Sequence, residues 1–206
     1  MFREPNVGVD DDAHKTEDLR VLRADNKMRE LISKYGHFTL KRRSGFLTLC
    51  RSVIAQQIST KAADTIRQKF HQRFGLGPQL IAQATVDDVQ QCGLSVTKAT
   101  CLRDLANRAL AGEFEHLDQL SDPQVLDRLT SIKGVGLWTA EMFLIFSLAR
   151  SDVWPLRDAG LRAAAQQVYG FETIEELESL GSRFVPLRST AALYLWRSLE
   201  NTEENR

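Results

Sequence analysis

No run of about eighteen apolar residues occurs in the 206-residue chain, so no transmembrane helix is expected. The opening "MFREPNVGVDDDAHKTEDLR" is acidic and has no apolar centre, so it does not read as a signal peptide. Residues 1–16 read instead as a flexible acidic tail and 201–206 as a second tail, around a single domain spanning 17–200. The protein is not expected to be secreted, and if its source is prokaryotic it is expected in the cytoplasm. Cysteine is scarce. Cys50, Cys92 and Cys101 form no CxxC pair, which points to reduced, buried thiols and against a four-cysteine zinc or iron–sulfur site. The four histidines, His14, His37, His71 and His116, are scattered and form no catalytic cluster. Net charge is zero, which excludes a uniformly basic chain. Its distribution is uneven, however. From residue 31 to 170 there are 17 Lys/Arg against 12 Asp/Glu, a surplus that allows one modest basic face.

Strand pairs, repeats and low-complexity tracts are also absent, and helical periodicity fills the chain. Leu19, Leu22, Met28, Leu31, Ile32 and Tyr35 mark one or two amphipathic helices closed by Gly36. "GFLTLCRSVIAQQIS" reads as a buried helix reaching the surface at Gln56-Gln57. Thr60 is the expected cap of the next helix, Thr85 and Asp88 form a capping box, and Ser95 caps a longer helix through Ala111. Asp122 is the expected cap of "DPQVLDRLTSI", with Pro123 at its first position. A very apolar helix, "LWTAEMFLIFSLA", follows. Ten or so short helices with short connections predict an all-α protein.

Between the last two of these helices sits Gly134-Val135-Gly136. A helix ending near Ile132 leaves carbonyls unpaired, and one starting near Leu137 leaves N–H groups unpaired. Glycines here permit positive φ and close approach of a foreign surface, and the exposed N–H groups suit a phosphate. A plain αα turn explains the same residues. Further on, Asp158 follows Pro155 and precedes "AGLRAAA". A helix N-cap explains it, and so does a catalytic carboxylate. Asp152 is the rival carboxylate, read as exposed.

"LTSIKGVGLWTA" resembles the helix-hairpin-helix element, with Leu129, Ile132, Gly134, Val135 and Gly136 at the hairpin positions. The hairpin together with Pro155-x-x-Asp158 resembles the helix-hairpin-helix glycosylase superfamily. "VIAQQISTKAA", "GLSVTKATCLRDLA" and "PLRSTAALYLWR" are similar to the branch of bacterial 3-methyladenine DNA glycosylase II. The resemblance covers about residues 20–200. It implies two packed helical lobes carrying the hairpin motif, with an active-site cleft between them. Endonuclease III-like members carry a lysine where this chain has Trp138, and a four-cysteine cluster near their C-terminus. Neither is present here.

The resemblance implies a monofunctional base excision repair enzyme that flips out and hydrolyses alkylated purines such as 3-methyladenine from double-stranded DNA, as a monomer. Asp158 would be catalytic. Lys133, Gly134, Val135, Gly136 and Thr139 would hold the DNA backbone, and Gln56, Gln57 or Ile58 would wedge into the minor groove. Trp138 and Trp196 match pocket tryptophans, with Met142, Phe146 and Trp154 as neighbours. For Trp154, Phe143, Phe146 and Tyr194, core packing is the competing reading. Arg157 and Arg188 could touch phosphate or pair with acids. No cofactor is expected beyond a structural Na⁺ or K⁺ on the carbonyls of Thr130, Ile132 and Gly134. Two alternatives stay open: a non-catalytic helix-hairpin-helix DNA-binding protein, and a glycosylase for mismatched or deaminated bases.

Overall fold

A computed structural model describes residues 19–203, so the expected acidic tail at 1–16 lies outside the described residues. Every regular element among them is helical. No described helix is long and apolar enough to cross a membrane. The chain first forms α1 (Arg20–Arg23) and α2 (Asn26–Tyr35). Next come α3 (Gly45–Ala55), α4 (Thr60–Phe74), α5 (Gln79–Gln83), α6 (Val86–Gln90) and α7 (Val96–Leu110). A 3₁₀ turn at Leu117–Gln119 leads to α8 (Asp122–Thr130) and α9 (Leu137–Phe146). The chain closes with α10 (Ala159–Tyr169), α11 (Ile174–Ser182) and α12 (Arg188–Glu203). The last helix thus continues into the stretch expected as a C-terminal tail.

Two compact units result, one from residues 42–148 and the other from residues 19–41 with 149–203. In the first, α3 is central and packs on α4, α7 and α9. Helix α9 is buried on every side from Met142 to Phe146, as its unbroken apolar sequence requires. Cys50, Cys92 and Cys101 are free thiols, all buried.

In the second unit α12 packs on α10 and α2. Asp25 caps α2 through the Met28 amide at 2.9 Å, accepts from Tyr169 Oη at 2.8 Å, and pairs with Arg183. One buried carboxylate therefore ties together α2, the end of α10 and the chain after α11. Tyr194 donates to the Gly36 carbonyl at 2.8 Å and lies against Phe38.

Several caps stand where the sequence places them. Ser95 accepts from the Lys98 amide, Thr85 and Asp88 form a capping box, and Gly36 closes α2 at φ +72°. Two are one residue earlier than expected. Ser59 rather than Thr60 caps α4, accepting from the Ala62 amide. Ser121 rather than Asp122 caps α8, in a capping box with Gln124 that puts Pro123 at the second helical position. In each case two adjacent residues have cap-forming side chains, and the first one takes the extended backbone that a cap needs.

Candidate active site

The hairpin between α8 and α9 is built from inside. Ile132 and Val135 are buried at 3% and 4% exposure and anchor it in the first unit. The Ile132 amide donates to Leu129 O, and the Val135 amide donates to Ile132 O. Gly134 takes φ +94°, and a Cβ there would lie 2.9 Å from Cys101 Sγ. The turn thus needs glycine twice over, for the dihedral and for the space. Gly136 differs. Its φ of −92° and ψ of 173° are extended, and a Cβ there would meet nothing within 4 Å.

Gly136 is the N-cap of α9 and supplies no capping side chain. The first N–H groups of this helix have no intrahelical acceptor, and the helix dipole is positive at this end. Lys133, Gly134, Gly136 and Leu137 are exposed around it. Of the expected backbone-binding residues, Val135 departs from expectation: its side chain is core and its amide is spent inside the turn. Thr139 has only its main chain to offer, because its side chain is buried and bonded to Gln56.

Gln56 ends α3 and turns toward this hairpin. Its Nε2 donates to Gly134 O at 3.1 Å and to Thr139 Oγ1 at 2.9 Å. The Gln56 side chain is thereby turned inward, onto the hairpin. Gln57 and Ile58 remain exposed, and Gln57 sits at φ +56°. Lys98, on α7, donates from Nζ to the carbonyls of Ile54 at 2.9 Å and Gln56 at 2.6 Å. It caps the negative end of α3, a role not read from sequence although "GLSVTKA" contained the residue. Burial lowers the Lys98 ammonium below its ordinary range.

Two of the three carbonyls expected to hold a monovalent cation also accept hydrogen bonds within the protein. Gly134 O accepts the Gln56 amide, and Ile132 O accepts the Val135 N–H. Each of these bonds uses one lone pair of a carbonyl that has two.

In the second unit, the chain turns at Pro155, where Asp158 N donates to the Pro155 carbonyl at 2.9 Å. Asp158 then caps α10. Two donors converge on its Oδ1: the Leu161 amide at 2.5 Å and the Trp196 indole Nε1 at 2.8 Å, reaching across from α12. The carboxylate is 7% exposed. Cap and candidate catalyst are therefore the same residue. Asp152, expected to be exposed, is half-buried and held by Arg188 through two bonds, 2.7 Å from Nε and 2.9 Å from Nη2. The pairing holds the Arg188 guanidinium above its usual range. Arg188 is thus a partner of an acid, whereas Arg157 is exposed.

The aromatic candidates divide. Trp196 is buried and tethered to Asp158. Trp138, in the first turn of α9, is half-buried. Met142 is fully buried in α9, and Phe146 lies 5.7 Å from the Arg43 guanidinium carbon. Trp154 is a core residue rather than a pocket wall. Its Nε1 donates to Leu177 O at 3.0 Å, its ring meets Phe184 edge-on, and a Cβ on Gly181 would lie 2.5 Å from it. Tyr194 is likewise core.

The sequence family described as HhH-GPD superfamily base excision DNA repair protein matches residues 50–186. DNA-3-methyladenine glycosylase 1 of Schizosaccharomyces pombe is 29% identical over 194 residues, covering 84% of this chain and 82% of the relative. Its fold relative, the S. pombe 3-methyladenine DNA glycosylase solved in complex with abasic DNA, superposes with a TM-score of 0.78 at 30% identity, over 87% of this chain and 95% of the other. A DNA-3-methyladenine glycosidase from Bacillus halodurans superposes with a TM-score of 0.70 at 30% identity, over 93% and 92%. With the family match spanning well over half of its length, the chain belongs to the HhH-GPD superfamily of base excision DNA repair proteins.

Proposed function

We propose that the protein is a monofunctional DNA glycosylase that removes alkylated purines, 3-methyladenine among them, by hydrolysing the N-glycosidic bond. The observation that carries this reading is Asp158, a buried carboxylate fixed by a main-chain N–H and an indole N–H in a family of base excision proteins. The names of the relatives supply the substrate class.

Each unit contributes a different part. From the first, the main-chain N–H groups of Gly136, Leu137 and Thr139 hold DNA phosphate, a contact that positions without reading sequence. Gln57 and Ile58 fill the gap left when the damaged nucleotide leaves the stack. Trp138 offers an aromatic face to a cationic alkylated base, worth roughly 0.5–2 kcal/mol. From the second, Asp158 stabilises the positive charge that develops on the sugar as the C1′–N bond breaks. The bonding pair leaves with the base, which departs neutral because alkylation had made it cationic. Water then bonds to C1′ and its proton passes to Asp158 or solvent. No general acid is needed for such a leaving group. Trp138 stands where the lyase branch has its lysine, so no Schiff base forms and the strand stays intact.

The protein works as a monomer on double-stranded DNA and needs no cofactor. Incubation with methylated DNA tests this directly: wild type releases free 3-methyladenine, and Asp158→Asn does not. Full release by the variant would leave Asp158 as a helix cap only. Borohydride should trap no protein–DNA adduct, and a covalent product would contradict monofunctionality.

A further inference from the structure

Gln56 sits in the loop that supplies the wedge, yet it faces inward. Its side chain gives both N–H bonds to the hairpin, one to Gly134 O and one to Thr139 Oγ1. Its own carbonyl is held by Lys98 Nζ at 2.6 Å. The residue is thus fixed at the side chain and at the main chain. Immediately after it, Gln57 takes the left-handed conformation that residues other than glycine rarely adopt.

The partner peptide is equally constrained. The plane joining Gly134 to Val135 offers its oxygen to Gln56 and its N–H to Ile132 O. Cys101 Sγ lies beneath Gly134. Thr139, the other acceptor, belongs to the first turn of α9, whose N–H groups form the proposed phosphate clamp.

We infer that Gln56 is a positioning residue that couples the phosphate clamp to the wedge loop, so that gripping the backbone sets the geometry for unstacking the base. This rests on the glycosylase reading above, in which the hairpin holds phosphate and Gln57 with Ile58 enters the stack. A shift of the Gly134 peptide or of Thr139 reaches the Gln56–Gln57 peptide through one side chain. Lys98 provides the fixed point against which that side chain acts.

The test uses the full chain and a duplex carrying 2-aminopurine beside a tetrahydrofuran abasic analogue, whose fluorescence rises on unstacking. Affinity for undamaged duplex is read by anisotropy, and excision of 3-methyladenine under single-turnover conditions. Gln56→Ala should lower the unstacking signal and the excision rate about tenfold while duplex affinity stays within about twofold. Gln56→Glu keeps the side-chain length but lacks the donors, and should behave the same way, which guards against a simple cavity effect. Added to a wedge-less Gln57→Ala/Ile58→Ala background, Gln56→Ala should cause no further loss. An additive loss there, an equal fall in duplex affinity, or no effect of either Gln56 variant would overturn the coupling. If the wedge-less protein itself unstacks and excises like wild type, the wedge reading fails, and the coupling fails with it.

Discussion

The indole N–H of Trp196 donates to Asp158 Oδ1 at 2.8 Å, on the same oxygen that accepts the Leu161 amide at 2.5 Å. An aromatic residue expected to stack against a base is thus also a donor to the carboxylate. Trp196→Phe separates the two roles, because it keeps a ring and loses the donor. The variant should lose about 1–2 kcal/mol of stability, as for a buried carboxylate deprived of one bond. Its single-turnover rate should fall about tenfold with duplex affinity retained. A Phe variant with wild-type melting and rate would show the bond to be incidental.

Asp158 itself has two duties, and two substitutions divide them. Asparagine still caps a helix, so Asp158→Asn should melt within a few degrees of wild type while excision falls roughly 10²–10³-fold. Asp158→Ala should lose the same activity and a further ~1 kcal/mol for the cap. Calorimetry beside the excision assay distinguishes them. Equal melting of the two variants would mean that the Leu161 bond stabilises nothing.

The two hairpin glycines should respond in opposite ways. Gly134→Ala forces a side chain into φ +94° and against Cys101, and should cost roughly 1–3 kcal/mol. Gly136→Ala enters open space at an extended backbone, so stability should change by less than about 0.5 kcal/mol. Its methyl group would occupy the surface that a phosphate approaches, and duplex affinity should drop. A stable, tightly binding Gly136→Ala protein would remove the clamp from this end of α9.

Burial pushes the Cys101 thiol up to about 11, and raises Cys50 further still. In the unfolded chain both thiols release their protons first, so the unfolded state binds fewer protons above the ordinary value of 9.0. Stability should therefore fall as pH rises from about 9 toward the folded-state values. Urea midpoints measured from pH 7.5 to 10.5 should show this decline, and Cys101→Ala should make it shallower, leaving the Cys50 share. An identical slope in the variant would assign the alkaline loss to other groups.

The parts of this molecule legible from sequence are those fixed by local chemistry. Gly134-Val135-Gly136 announces a turn because only glycine suits that dihedral, and Asp158 before "AGLRAAA" announces a cap. Adjacent cap formers such as Ser121-Asp122 and Ser59-Thr60 leave the boundary uncertain by one residue. What stayed hidden depends on partners far along the chain. Nothing local separates Gln56 from Gln57, and the choice is made by Gly134 and Thr139, some eighty positions away. Trp154, in the chain between α9 and α10, and Trp196, on α12, look alike as tryptophans among apolar residues. One bonds to Leu177 O in the core and the other to Asp158, which only the packing of α11 and α12 decides.

The proposed clamp at Gly136 is made of peptide N–H groups, and that has a consequence for how it can be found. Truncating side chains removes nothing from it, so an alanine scan that trims Leu137 or Thr139 would leave its donors in place. Only added bulk, or a proline that deletes an N–H, reaches such a contact. For the same reason its grip is blind to base identity: every nucleotide along a duplex presents it with the same phosphate.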